Sequence, residues 1–310
     1  MSDLLIGDLP PEDFLRQYWQ QQPLLIRDGA ATLDLPLEGD DLAGLSLSDK
    51  VESRLITCSE PTGSYQLQHG PFDEQTFATL PASNWTLLVQ AVELWVPELS
   101  DLLTRIPFLP RWRCDDIMVS YAAPGGGVGP HFDQYDVFLV QAEGTRRWQI
   151  GQRCDEHTTL RPDSDLSLLA EFHAEQEWLL APGDVLYLPP GVAHWGIAET
   201  AGITLSIGFR SPSLAELMDD LAVEIAARPH NRHLRDPSLT PAMANDEIHP
   251  AYIAQVQALL SEMIADEKLL GVWLARYMTR PKYPDLTDDT AEQRRASFDG
   301  TRYLNGERET

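Results

Sequence analysis

The sequence predicts an α+β chain in which a small antiparallel barrel or jelly roll is followed by a helical unit. Three observations predict it. Between Asp116 and Arg210, short apolar runs recur between turns: "DIMVSYA", "YDVFLVQ", "RRWQIG", "EWLLA", "VLYLP" and "GITLSIGFR". After Phe209 the runs stop, and "SPSLAELMDDLAVEIAAR" sets Leu214, Leu217, Met218, Leu221 and Ile225 at helical spacing. With 310 residues, 43% of them hydrophobic, the chain can bury one large core and a smaller appendage.

The elements follow in order. "PEDFLRQYWQQQPLLIRDGA" opens with a capped amphipathic helix around Phe14, Tyr18 and Trp19, and a strand over 23–27 comes next. A mixed region runs to about residue 110, where "NWTLLVQAVELW" is predicted to be helical and to pack on the core. The barrel strands follow. Beyond them, Ser213 and Glu216 form a capping box, and further helices are predicted near 252–264 and 268–278. "TRYLNGE" near the end reads as a strand that has only just begun. No internal repeat or low-complexity tract stands out.

Charge and cysteines narrow the class. A net charge of −25 repels nucleic-acid backbones, so direct DNA or RNA binding is not expected. The same charge either draws a basic partner or serves solubility alone. No run of about 18 apolar residues suggests a membrane span. The acidic N-terminus "MSDLLIGDLPPEDF" lacks the pattern of a signal peptide. Cys58, Cys114 and Cys154 form no CxxC, and read as reduced thiols of a cytoplasmic protein.

The chemistry concentrates in "GPHFDQYDVFLVQAEGTRRWQIG", residues 129 to 151. His131 and Asp133 are two apart, so on a strand both point to one face, while Phe132 points to the other. Polar groups are costly inside a sheet unless paired or metal-bound. Downstream, "PGDVLYLPPGVAHWG" supplies His194. Two imidazoles and a carboxylate are the facial triad of non-haem Fe(II) oxygenases, which leaves coordination positions open. A structural zinc site would want four ligands, usually with thiolates, and neither segment has a cysteine. The alternative is a set of polar residues at loop mouths. Arg146 is in phase with Trp148 and Ile150. It either projects into the barrel, where it can hold a carboxylate, or is a solvated turn residue. Arg147 must be the opposite case. Ser120 either donates to the same carboxylate or is an ordinary strand serine.

The spacing Gly183, Pro189, Gly191, His194 resembles the second cupin motif, and Gly125, His131, Gly144 resembles the first. Asp133 stands where those metal sites have a second His, and Val137 where they have a Glu, so four ligands become three. Taken with "SIGFRSP" and "YWQQQPLLIR", these stretches resemble the bacterial ribosomal oxygenases, JmjC-type cupins. The likeness covers 10 to about 285 and is densest over 116–212. It implies a double-stranded β-helix catalytic domain over 1–212 and an α-helical dimerisation segment over 213–266. It also implies the start of a winged-helix-like C-terminal module over 267–310, which family members carry in longer form. By the same resemblance, His131, Asp133 and His194 hold Fe(II), while Arg146 and Ser120 bind the distal carboxylate of 2-oxoglutarate, with O2 as second cosubstrate. Thr204 stands where relatives can carry Asn and gains no cosubstrate role. The implied activity is hydroxylation of an arginine of large-subunit ribosomal protein sixteen by a cytoplasmic homodimer, with a basic ribosomal protein as partner.

Two rivals remain. One keeps the fold and changes the chemistry, to demethylation or to hydroxylation of another residue. The other is a catalytically idle cupin that binds ribosomal protein. Gln134, Tyr135 and Asp136 either face the target side chain or are packing and rim residues. "GGGVG" precedes a strand rather than a helix, so it is expected to provide flexible backbone near the site and not a phosphate cradle. His230 and His233 fall in a polar connection, and His69, His157, His173 and His249 have no partners at ligand spacing.

Overall fold

In the computed structural model, the described residues are 3–59, 63–227, 232–286 and 293–309. His230 lies outside them, and His233 is exposed. Two compact units emerge, Met1–Ser211 and Pro212–Pro284 with Glu292–Thr310.

The first unit begins with α1 (Pro11–Gln17) and β1 (Leu24–Ile26). The expected side-chain cap on α1 is missing; the helix starts instead on Pro11, whose fixed φ suits a first helical position. Next come α2 (Gly39–Leu45), β2 (Ser53–Ser59), β3 (Ser64–His69), α3 (Glu74–Ala78) and β4 (Trp85–Val89). The strand β4 replaces the helix expected in "NWTLLVQAVELW". Its run of buried residues is hydrogen-bonded between β2 and β5, and Ala91, in the left-handed region at φ 50°, ends it. A short apolar run does not by its period alone distinguish a strand buried on both faces from a helix.

The strands β5 (Cys114–Ala122), β6 (Val137–Gln141), β7 (Arg146–Arg153), β8 (Ala174–Leu180), β9 (Val185–Leu188), β10 (Val192–Ala198) and β11 (Gly202–Phe209) complete this unit. They form two antiparallel sheets of a jelly roll. The larger has the order β1-β9-β6-β11-β5-β4-β2-β3, and the smaller β10-β7-β8.

Alternation along β6 and β9 explains the layers. Phe138, Val140, Val185 and Tyr187 point outward into a core with Phe14 and Phe209. Their neighbours Val137, Leu139, Leu186 and Leu188 point the other way. There they meet Trp148, Ile150, Leu180 and Val192 of the smaller sheet. Both faces of these strands are therefore dry, which is why they read as continuous apolar runs. Helix α1 seals the outer core, with Phe14 5.0 Å from the Tyr187 ring and edge-on to it.

The second unit contains α4 (Leu214–Ala226), α5 (Pro250–Ile264), α6 (Glu267–Thr279), and the three-stranded sheet β12 (Arg295–Phe298), β13 (Thr301–Leu304) and β14 (Glu307–Arg308). The capping box forms: Ser213 Oγ accepts from Glu216 N, and Glu216 Oε2 accepts from Ser213 N. Trp273 Nε1 donates to Asp220 Oδ1 at 2.8 Å, tying α6 to α4. Thus "TRYLNGE" covers β13 and the first residue of β14 in this three-stranded meander. Among the described residues, no helix is long and apolar enough to cross a membrane.

Candidate active site

Two stretches over sixty residues apart in sequence meet through their backbones. His131 N donates to His194 O at 3.0 Å, and His194 N donates to His131 O at 2.8 Å. This lone antiparallel bridge extends β10 toward the chain entering β6. His131 to Asp136 is not a regular strand; β6 begins only at Val137. The expected common face therefore arises from this bridge and from Gly191 N, which donates to Asp133 O at 2.7 Å. A register shift between Val192 and His194 marks a bulge in β10, a device that re-aims side chains beside active sites.

The three side chains converge. One ligand atom from each of His131, Asp133 and His194 lies within 4.8 Å of the others. Asp133 Oδ2 stands 3.6 Å from His194 Nε2, and the imidazole centroids are 4.3 Å apart. Each imidazole Nδ1 sits 2.9 Å from a carbonyl, that of Gly129 for His131 and that of Val192 for His194. Those carbonyls require Nδ1–H, which leaves both Nε2 lone pairs for a metal. Burial, and then the neighbouring His131, lowers the His194 pKa to about 4, against the pull of Asp133. The ring is neutral at physiological pH, as ligation needs. The donor set of two nitrogens and one oxygen fits ferrous iron with open positions.

Along the same inner face of β7, Arg146 is buried at 6% exposure. Its Nη1 lies 3.5 Å from Ser120 Oγ, which donates to Thr204 O at 3.3 Å. Its Nη2 is enclosed and has no hydrogen-bond partner among the described residues. Burial lowers its pKa to about 10, so it stays cationic at neutral pH. A buried cation facing no carboxylate is costly, and such a site fits an anionic ligand. Arg147, on the outer face, pairs with Glu199. The Thr204 hydroxyl is engaged with Gln141 Oε1 at 3.0 Å.

The remaining candidates divide. Asp136 is fully buried and belongs to packing: Tyr187 OH donates to it at 2.7 Å and Gln20 Nε2 at 3.1 Å, with Arg113 Nη2 at 3.5 Å. Burial pushes its carboxyl pKa up, against those contacts. Tyr135 is 41% exposed at the mouth. Sequence reasoning missed Asp116, a buried carboxylate that accepts from Gln90 Nε2 at 2.8 Å. Parity along β5 with Ser120 was the available signal. A Cβ on Gly208 would lie 3.9 Å from Tyr135 Cε2 and 4.0 Å from Asp116 Oδ1, so both flank one small space. Although the side chain is partly exposed, desolvation and then the carboxylates of Asp133 and Asp116 push the Tyr135 phenol pKa up.

The glycine run, expected to provide flexible backbone near the site, packs closely against β10. A Cβ on Gly127 would stand 2.3 Å from Gly196 O, and Gly125 N donates to Ala198 O at 2.7 Å. The absent side chain lets two backbones touch.

Comparison with known proteins matches this architecture. The JmjC domain model matches residues 101–217. The ribosomal protein uL16 3-hydroxylase of Escherichia coli is 35% identical over 274 residues, covering 87% of this chain and 72% of that protein. A probable ribosomal oxygenase of Haemophilus influenzae is 36% identical over 263 residues, covering 84% of this chain and 64% of its own length. The solved structure of the E. coli ribosomal oxygenase YcfD in complex with cobalt and 2-oxoglutarate superposes with a TM-score of 0.83 at 31% identity, over 97% of this chain and 85% of that one. Likeness of this extent, around a JmjC core, makes the chain a member of the bacterial ribosomal oxygenase family.

Proposed function

We propose that this chain hydroxylates an arginine of large-subunit ribosomal protein uL16, using Fe(II), 2-oxoglutarate and O2. One observation carries the reading: a three-donor candidate metal site shares its barrel with a buried guanidinium that has no carboxylate partner among the described residues. The names of the relatives support the substrate.

In this reading His131, Asp133 and His194 hold the iron from one side. Arg146, assisted by Ser120, grips the distal carboxylate of 2-oxoglutarate and sets its orientation. When bound, iron, cosubstrate and O2 supply the oxidising power that inserts one oxygen into a C–H bond, with release of succinate and CO2. Val137, Leu139, Leu188 and Val192 keep that interior dry. Tyr135 and the buried Asp116, which flank the small space at Gly208, offer an aromatic face and a carboxylate, which suit a cationic target side chain. The net charge of −25 draws a basic ribosomal protein and disfavours direct contact with nucleic acid.

The same reading divides the chain into a catalytic domain over 1–212, a dimerisation segment over 213–266 and the start of a winged-helix-like module over 267–310. Support for a homodimer comes from α5, where Ile253, Val256, Leu260 and Ile264 form an exposed stripe at helical spacing. A ribosomal protein substrate supports a cytoplasmic location, and sedimentation tests the dimer.

The deciding experiment incubates the iron-loaded protein with 2-oxoglutarate and a uL16 peptide. A gain of one oxygen on arginine, coupled to succinate, is expected. Methyl loss with formaldehyde would instead mark a demethylase, and no peptide-dependent succinate would mark a binding module.

A further inference from the structure

Arg146 Nη2 is not alone in lacking a partner. Two residues on, along the same inner face of β7, the indole Nε1 of Trp148 is also enclosed and has no acceptor among the described residues. Trp148 is 5% exposed. A buried N–H without an acceptor forfeits its hydration, so such groups are rare unless a ligand or bound water completes them.

Register places this indole between the metal ligands and the arginine. Across β10, Ile150 pairs with His194, Trp148 with Gly196 and Arg146 with Ala198. The four residue steps from His194 to Ala198 span about 13 Å of strand. The Trp148 ring stands in the middle of that span. Its centroid is 5.8 Å from that of the His194 ring, and the Arg146 guanidinium carbon is 5.8 Å from the indole. The opposing residue on β10 has no side chain: a Cβ on Gly196 would come within 2.8 Å of the far edge of the benzo ring. Only glycine there lets the indole stand against the strand. The ring is thereby held at a fixed place beside the guanidinium.

We infer that Trp148 is a cosubstrate-binding residue, its indole N–H donating to the same distal carboxylate that Arg146 holds. This rests on the 2-oxoglutarate reading above. A carboxylate has two oxygens and accepts several hydrogen bonds, so it can satisfy both unpartnered donors at once. The indole supplies a neutral, rigid donor beside the charged fork and defines where the carboxylate sits. Succinate carries the same carboxylate and depends on Trp148 equally.

The test uses the Mn(II)-loaded full chain, with 2-oxoglutarate and succinate titrated calorimetrically into wild type and Trp148→Phe. Phenylalanine keeps a ring in the core and removes the N–H. Both ligands are expected to bind roughly five- to tenfold more weakly. A second measurement needs no folded variant other than as a reference: in the Zn(II)-loaded wild type, the Trp148 indole N–H resonance shifts downfield on adding 2-oxoglutarate. Unchanged affinities overturn the inference, and so does an unmoved resonance, which would assign the indole to a bound water. Failure of the wild type to bind 2-oxoglutarate at all would instead overturn the cosubstrate reading, and this inference with it.

Discussion

His131 and His194 are paired through their main chains in both directions, at 3.0 and 2.8 Å, before their side chains are considered. The two imidazoles are thus brought together by sheet hydrogen bonding, and a metal need not assemble them. Asp133 is fixed to the same ladder through Gly191 N. A site built in this way is preorganised, and single side chains can be removed without dismantling it.

Asp133→Ala is therefore expected to leave the fold intact and abolish metal retention. Loss of an outer partner of a ligand typically weakens metal binding about 10- to 100-fold, and loss of the ligand itself costs at least as much. Urea unfolding checks the intact fold, and calorimetric titration with Mn(II) the loss of metal. Wild-type metal affinity in this variant would contradict the assignment.

Arg146→Met separates function from stability. The variant loses the charged anchor, and the KM for 2-oxoglutarate should rise by an order of magnitude or more, as expected for about 1.5–3 kcal/mol of charge-assisted bonding. In the absence of cosubstrate, the same variant should unfold at higher urea. Methionine fills the space without burying a cation whose hydrogen-bond partner among the described residues is Ser120 Oγ. A gain of roughly 1 kcal/mol is expected.

Asp136→Ala should fail for a different reason. It strands the Tyr187 hydroxyl and the Gln20 amide, and removes the carboxylate near Arg113. A loss of about 2–4 kcal/mol in urea unfolding is expected, whereas Tyr187→Phe costs about 1 kcal/mol. Wild-type stability for Asp136→Ala would return this residue to the target-facing role.

Gly127→Ala tests the close approach of the glycine run to β10. The new methyl meets Gly196 O, a backbone atom that cannot rotate away. About 1–3 kcal/mol of destabilisation is expected from such overpacking, measured by thermal or urea unfolding.

Much of this was legible in the sequence because its signals are local. The alternation and turn spacing from Asp116 to Phe209 report strands, the Ser213–Glu216 pair reports a helix start, and the spacings around His131 and His194 report the residues that converge as candidate metal donors. These patterns survive without knowledge of neighbours. The errors arose where neighbours decide. "NWTLLVQAVELW" suits a helix or a strand equally well, and only the places open between β2 and β5 made it β4. Asp136 and Asp133 are the same residue type three apart. Which one faces the metal site and which is buried under Tyr187 depends on where β6 begins.

What the sequence determined by itself was the inventory: three candidate metal donors, an arginine in phase with an inward face, and enough apolar strands to enclose them. What the tertiary structure alone decided was convergence and shortage. The meeting of His131 with His194, and the lack of acceptors among the described residues for Arg146 Nη2 and Trp148 Nε1, are properties of contacts between distant segments. Hydrogen-bond satisfaction is a sum over spatial neighbours, and no linear pattern encodes that sum.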